Sequence, residues 1–324
     1  MIPYKYSDKE FVSIINYLAE NIPFIEVSPP NKLKKIKPNI NDQLAVVLGF
    51  YKSFDEVMYQ DIYNILRVGK VQFKIADDNE AVVYPDLSGN IHLEENIRSY
   101  YTITHEAGHL IPLYRMQGKI VNEDFGEVES LFMEKCLGKY LADNNIISIH
   151  EKDNQEAVNH NTLYHAVQLA KKEYSMYERG EDVSTLHEES NTVSSLQNQI
   201  RFIYGDIFAT ELFSRYENSE QRSAVVNKFV CYLNNKDQIF DINSMANFFN
   251  IDKNTLLINY VNNVNRCNTD IFNSKKSGLF SIFKRRREKN SQQELNKMVN
   301  DVNNSSNDIT NGRGLWAVKR QNIK

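Results

Sequence analysis

Residues 105–109 read HEAGH, two histidines four positions apart with a glutamate directly after the first. In an α-helix, residues four apart lie on one face, so His105 and His109 can direct both imidazoles at a single ion. Glu106 projects beside them, where it can take a proton from a water molecule on that ion. Zinc catalysis needs three protein ligands and one open position for this water, whose pKa the ion lowers to about 7. The spacing therefore predicts a zinc site with Glu106 as general base.

A third ligand has to come from elsewhere, and the segment NEDFGEVESLFMEKCLGKYL offers four glutamates. Its apolar positions predict a helix. Glu127, Ser130 and Glu134 share one helical face, so Glu127 could bind zinc while Glu134 or Ser130 holds the second nitrogen of a histidine. Glu123 and Glu129 are better explained as part of a solvated face.

The elements that must position these residues are mostly helical. We predict a helix, a loop and a helix within residues 1–69, then a small antiparallel β meander over 70–95 with DDNE and DLSGN as turns. A strand before the HExxH helix could hold a substrate in extended form. Gly108 costs this helix roughly 1 kcal/mol relative to alanine, as expected where another group must approach the backbone closely. The helices predicted within 96–270 cover residues 96–117, 125–142, 154–178, 190–216, 219–234, 243–249 and 253–266.

Composition places the chain among globular proteins. It has 324 residues, of which 41% are hydrophobic and 25% charged. The opening MIPYKYSDKEF lacks the features of a signal peptide, and the longest apolar run, LAVVLGFY, is too short to span a bilayer. Three cysteines without CxxC spacing predict reduced thiols. These features favour a cytoplasmic protein.

The C-terminal region differs in charge and composition from the rest. Residues 271–324 hold 12 Lys and Arg against 4 Asp and Glu, a balance of +8; because the net charge is −4, the remainder carries −12. We interpret this region as a flexible basic tail. Its segment 275–289 could contact an anionic membrane or act as an address, including one for non-classical secretion as an effector. The acidic body predicts no nucleic-acid partner. The oligomeric state is left open.

The two motifs resemble the catalytic half of the thimet oligopeptidase and oligoendopeptidase F family of zinc metallopeptidases. That family couples HExGH to Phe-x-Glu-x-x-Ser-x-x-x-Glu, and this chain has FGEVESLFME from Phe125 to Glu134. The resemblance covers residues 85–265. It implies a mainly α, zincin-like catalytic domain within residues 1–270 and one zinc ion held by two histidines and a glutamate, namely His105, His109 and Glu127.

The chain also departs from the family pattern. Only 18 positions separate His109 from Glu127, fewer than usual in the family. Where the family has tyrosines that stabilise the oxyanion, this chain has Gln199 and Phe202. We nominate Tyr204 and His187 as replacements, although Tyr204 is equally well explained as a core aromatic.

The sequence thus predicts a zinc endopeptidase of the gluzincin type that acts on peptide or protein substrates. With about 85 residues before the β region, the large helical lid of the family cannot form, so we expect a more open cleft. One alternative is a catalytically inactive binding module that keeps the scaffold. Another is a zinc hydrolase of amide bonds other than peptides.

Overall fold

The computed structural model describes residues 8–27, 35–36, 39–76, 81–119, 123–182 and 196–276. These residues form a mainly α-helical fold with one small β-sheet, as the sequence predicted. The α-helices are α1 Lys9–Asn21, α2 Ile40–Phe54, α3 Glu56–Val68, α4 Arg98–Arg115, α5 Val128–Asp143, α6 Ile149–Glu178, α7 Leu196–Glu217, α8 Arg222–Asn234, α9 Ile242–Phe249 and α10 Lys253–Lys276. The strands are β1 Val71–Ile75, β2 Ala81–Val83 and β3 Gly89–Leu93.

The sheet is mixed, so the prediction of an antiparallel meander over 70–95 was wrong. β3 lies in the centre, parallel to β1 and antiparallel to β2. Alternate residues of β1 and β3 are buried, and Phe73 pairs with Ile91, whereas β2 has no fully buried residue. Because burial of alternate apolar residues stabilises a strand pair, the two strands with buried faces pair, and short β2 takes the edge opposite β1.

Helix α2 was not predicted from the sequence. Its run LAVVLGFY is buried on every side, so it has no polar face to reveal a helical period. The hydroxyl of Tyr51 donates a hydrogen bond to the backbone oxygen of Thr104 at 3.3 Å. This bond ties α2 to the middle of α4.

Helix α5 runs through the core and packs against both α4 and α7. Its apolar residues are almost fully buried, and so are its charged residues Glu129 and Lys135. Buried charges are stable only when they are paired. Lys236 donates a hydrogen bond to Glu129, and the Lys135 Nζ atom lies 2.9 Å from Oδ1 of Asp206 on α7.

Several sequence expectations concern the ends and loops of the described segments. Helix α10 continues to Lys276, because neither glycine nor proline interrupts it after the predicted end at 266. His187 and nearly all of the basic segment 275–289 lie outside the described residues. The three cysteines are free thiols, as predicted. Within the ranges that the structure describes, no helix is long and apolar enough to cross a membrane.

Candidate metal centre

Helix α4 presents His105 and His109 on its outer side, one turn apart. Its opposite side is anchored in the core by Ala107, Leu110 and Ile111. The two imidazole rings lie at right angles with centroids 4.8 Å apart, and their Nε2 atoms are 3.2 Å apart. Both ring nitrogens therefore face the same small volume.

Glu127, the residue directly before α5, completes the group. Its Oε2 atom lies 3.3 Å from Nε2 of His105 and 3.4 Å from Nε2 of His109. The side chain does not cap its own helix and is turned to the imidazoles instead. The three ligand atoms lie within 4.8 Å of one another, so this group could hold a metal ion.

Two glycines allow the helices to approach closely enough for this convergence. A Cβ atom at Gly108 would stand 2.6 Å from Cα of Ser130 on α5. A Cβ atom at Gly205 on α7 would stand 2.6 Å from Cβ of Glu127. The close approach that Gly108 predicted is therefore made by a neighbouring helix, and the second glycine does the same from the other side of Glu127.

A second set of polar residues holds the three ligands. The Nδ1 atom of His105 lies 2.6 Å from Oε1 of Glu134, and Asn159 on α6 donates a hydrogen bond to the other Glu134 oxygen at 2.7 Å. Of the two predicted partners, Glu134 is the one at the outer nitrogen of a histidine. The Ser130 hydroxyl donates to Oε2 of Glu127 at 3.3 Å and also lies 3.3 Å from Nε2 of His109, the nitrogen that faces the other ligands. Asn159 was missed, because nothing in the sequence places α6 here.

Arg201 on α7 is a further residue that sequence reasoning missed. Its Nη2 atom donates a hydrogen bond to Oε1 of Glu127 at 2.9 Å. Its place in the sequence could have found it, because Arg201 lies between Gln199 and Phe202, the two residues that stand where the resembled family has oxyanion-stabilising tyrosines. The carboxylate of Glu127 thus has one oxygen toward the imidazoles and the other toward a guanidinium.

The electrostatics of the group are set by opposed charges in a buried place. Burial alone would lower the pKa of His105, but Glu127 and Glu134 outweigh it and raise that pKa well above its usual value. Burial alone would raise the pKa of Glu127, but His109 and His105 outweigh it and lower that pKa well below its usual value. A metal cation that binds here replaces the imidazole proton, so its affinity should fall at acid pH.

The metal group lies in a cleft of about 550 Å³. One wall is the edge strand β2 with Pro85, and another is α4. A smaller pocket of about 300 Å³ also has Ala81, His105 and Glu106 in its lining and extends toward Glu134. His105 and Glu106 therefore line two neighbouring recesses.

Glu106 lines both recesses, and 7% of its surface is exposed. No hydrogen bond or ion pair to its carboxylate forms among the residues that the structure describes. A carboxylate placed in this way can accept a proton from a molecule in the cleft.

Two expectations about neighbouring residues need revision. Tyr204 is 5% exposed and stacks on Phe125 with centroids 5.3 Å apart, and burial raises the pKa of its phenol above the usual value. Tyr204 is a core aromatic outside the cleft lining, and not a residue of the cleft. Glu129 is 2% exposed and paired with Lys236, so the expectation of a solvated side chain was wrong.

Comparisons of the chain with protein-family models, with curated proteins and with solved structures found no match. What the site can do chemically therefore follows from its own residues.

Proposed function

We propose that the chain is a zinc-dependent endopeptidase of the gluzincin type, with a zincin-like catalytic domain. The observation that carries this proposal is the convergence of His105, His109 and Glu127 from two helices onto one point. The resemblance of HEAGH and FGEVESLFME to the thimet oligopeptidase and oligoendopeptidase F family supports the same conclusion.

The donor set fits zinc. Two imidazole nitrogens and one carboxylate oxygen form the ligand set of many catalytic zinc sites, which keep a fourth position open. Glu134 fixes the ring of His105 through its outer nitrogen, as second partners of zinc-binding histidines do. Bound zinc would supply a Lewis acid and lower the pKa of a water molecule to about 7.

The residues of the chain would then perform the proton transfers. Glu106 follows His105 directly and faces the same cleft, so it can accept the proton of the attacking water. The same carboxylate can afterwards deliver that proton to the departing amine. Its buried position shields the transfer from bulk solvent.

The shape of the cleft suits an extended peptide. Strand β2 is one of the two edge strands of the sheet, and its outer side pairs with no strand among the described residues. A peptide can add to such an edge through main-chain hydrogen bonds. Residues on either side of the scissile bond would occupy the two recesses that meet at His105.

The decisive experiment combines zinc content with digestion of a random peptide pool. We expect Glu106→Gln to keep its zinc and lose turnover, because it removes the base and none of the ligands. His105→Ala and Glu127→Ala should lose the metal and the activity together. A Glu106→Gln protein that cleaves at the wild-type rate would refute the proposed mechanism.

A catalytically inactive peptide-binding protein is the second candidate, and the packing of Tyr204 in the core favours it. That placement removes one phenol that could stabilise an oxyanion. Full zinc occupancy without cleavage of any member of the peptide pool would support this candidate against the enzyme.

The prediction of an open cleft concerns the size of the substrate. A labelled nonamer and a folded protein with an exposed loop can be digested in parallel. Cleavage of both is expected, whereas cleavage of the nonamer alone would contradict an open cleft.

A further inference from the structure

Arg201 is the cation that touches the metal group. Its guanidinium donates through Nη2 to Glu127 at 2.9 Å and lines the same cleft as both histidines and Glu106. The side chain is 30% exposed, so part of it faces the open space of the cleft. Its buried Nε atom has no hydrogen-bond partner in the described part of the chain.

Hydrolysis of a peptide bond creates a negative charge at a defined place. When water attacks the carbonyl carbon, the π electrons move to the carbonyl oxygen and the proton of the water passes to a base. Donors already aimed at that oxygen are among the largest contributors to catalysis. A cleft that cleaves peptides therefore needs such a donor beside the metal.

The other cations that line this cleft, Lys119 and Lys236, are less suited to this task. Lys236 is buried and paired with Glu129. Lys119 has a side chain that is 63% exposed and lies 3.9 Å from Asp237. The phenol of Tyr204 belongs to a ring packed in the core.

We propose that Arg201 stabilises the oxyanion of the tetrahedral intermediate, an inference that rests on the proposed peptidase function. The guanidinium donates a hydrogen bond to the new oxyanion and keeps all its protons, since arginine does not deprotonate in proteins. The proton of the attacking water goes to Glu106. Arg201 thus takes the catalytic role for which Tyr204 was nominated.

The contact with Glu127 makes this role possible. A guanidinium has five N–H donors in a rigid planar fork, and Glu127 engages one of its nitrogens. The bond fixes the plane of the group in advance, while N–H groups remain for a ligand in the cleft. A lysine at this position would present a single ammonium on a flexible stem and could not serve both partners in the same way.

The test compares Arg201→Ala and Arg201→Lys with the matched control Lys119→Ala, which removes a cleft cation outside the metal group. Three quantities are measured on zinc-loaded protein: zinc affinity, kcat and KM for a cleaved peptide, and affinity for a phosphinic peptide whose charged tetrahedral centre resembles the intermediate. For Arg201→Ala we expect kcat to fall about 100- to 1000-fold with KM changed less than about threefold. Phosphinate affinity should fall by the same factor as kcat/KM.

Two further outcomes belong to the expected result. Zinc affinity of Arg201→Ala should fall by no more than about 10- to 100-fold, the usual cost of removing a partner of a metal ligand, so protein kept in excess zinc should remain loaded. Guanidinium ion added to Arg201→Ala should restore part of kcat, and the same salt should not accelerate Lys119→Ala.

The inference is overturned if zinc loss accounts for the whole defect, because Arg201 would then act only through Glu127. It is also overturned if phosphinate and substrate affinities fall equally. Failure of the proposed function gives a different pattern. A wild-type protein that holds zinc and binds the phosphinate but cleaves nothing is not a peptidase, and the phosphinate affinity of Arg201→Ala still decides whether Arg201 binds the anion.

Discussion

The Nδ1 atom of His105 lies 2.6 Å from Oε1 of Glu134, the side chain one turn beyond Ser130 on the facing helix. Asn159 holds the opposite oxygen of the same carboxylate at 2.7 Å. The ring of His105 is therefore fixed at its outer nitrogen, and its Nε2 atom is left facing His109 and Glu127. Such partners orient a metal-binding imidazole and increase its basicity.

Replacing Glu134 by glutamine should weaken zinc binding by roughly 10- to 100-fold. The amide keeps the shape of the side chain but removes the charge that orients the imidazole and makes it more basic. Competition with a coloured chelator measures the change. Glu178→Gln, at the exposed end of α6, is the matched control and should bind zinc as tightly as wild type. An unchanged affinity in Glu134→Gln would show that the contact does not support the site.

The parts of the site predicted from the sequence are those encoded by helical spacing. His105 and His109 lie one turn apart on α4, and Glu127 and Glu134 share a side of the next helical segment. Arg201 and Asn159 come from α7 and α6, and Arg201 lies 74 positions from the carboxylate it binds. The spacing of residues along one helix cannot predict such long-range contacts, because they depend on how the helices pack against one another.

The fold shows the same division between local and long-range information. The short amphipathic helix α9 was predicted at 243–249 and lies at Ile242–Phe249, whereas the end of the long helix α10 was predicted ten residues too early, at 266 instead of Lys276. The order of the strands was not predicted, because alternation of apolar residues identifies a strand without choosing its neighbour. The sequence of helix α2 shows no alternation of polar and apolar residues at helical spacing, because all sides of its central run are buried.

Replacing Gly108 by alanine should destabilise the protein, although alanine favours an isolated helix by about 1 kcal/mol. The new Cβ atom would lie 2.6 Å from Cα and 2.9 Å from N of Ser130, which are backbone atoms that cannot move alone. Overpacking of this kind costs about 1–3 kcal/mol. Helix α5 must shift and carry Glu127 with it, so zinc affinity should fall as well. Urea denaturation and chelator competition measure the two effects.

Gly49→Ala is the control for this substitution, because Gly49 also lies inside a buried helix. The nearest atom to its added Cβ is the Tyr140 hydroxyl at 3.3 Å, the far end of a side chain that can rotate away. This variant should be neutral or more stable by up to about 1 kcal/mol. Equal losses in both variants would argue against a specific contact between α4 and α5.

Breaking the buried pair of Lys135 and Asp206 should cost far more than replacing both partners. Asp206 is 2% exposed, and Tyr260 donates a second hydrogen bond to it at 2.8 Å. Burial alone would raise the pKa of Asp206, but Lys135 outweighs it and lowers that pKa. Asp206→Asn leaves Lys135 buried without its counter-charge, so we expect a loss of about 3–5 kcal/mol.

The double variant Asp206→Leu with Lys135→Met should recover most of that loss, since no charge is left buried. Unfolding in urea of the wild type, Asp206→Leu, Lys135→Met and the double variant completes a double-mutant cycle. Losses that simply add would mean that the two side chains stabilise the fold independently.

His160 should make stability depend on pH. Burial lowers the pKa of His160 below the usual 6.5, and the positive charge of Lys135 acts in the same direction. The backbone oxygen of Pro23 and the carboxylate of Asp206 raise this pKa, but by less than burial lowers it. Between pH 6.5 and that lowered pKa, the unfolded chain binds more protons at this residue than the folded chain does. The contribution of His160 is therefore complete above pH 6.5 and is lost as the pH falls through the folded pKa.

A His160→Gln variant isolates this contribution from every other titrating group. The free energy of unfolding of wild type minus that of the variant should decrease as the pH is lowered from about 7.5 to 5, with a slope of at most about 1.4 kcal/mol per pH unit. Urea denaturation at each pH, with zinc held in constant excess, measures the difference. His165→Gln, an exposed position on the same helix, should show no such slope. A difference that stays constant, or increases toward acid pH, would show that His160 does not prefer its neutral form in the fold.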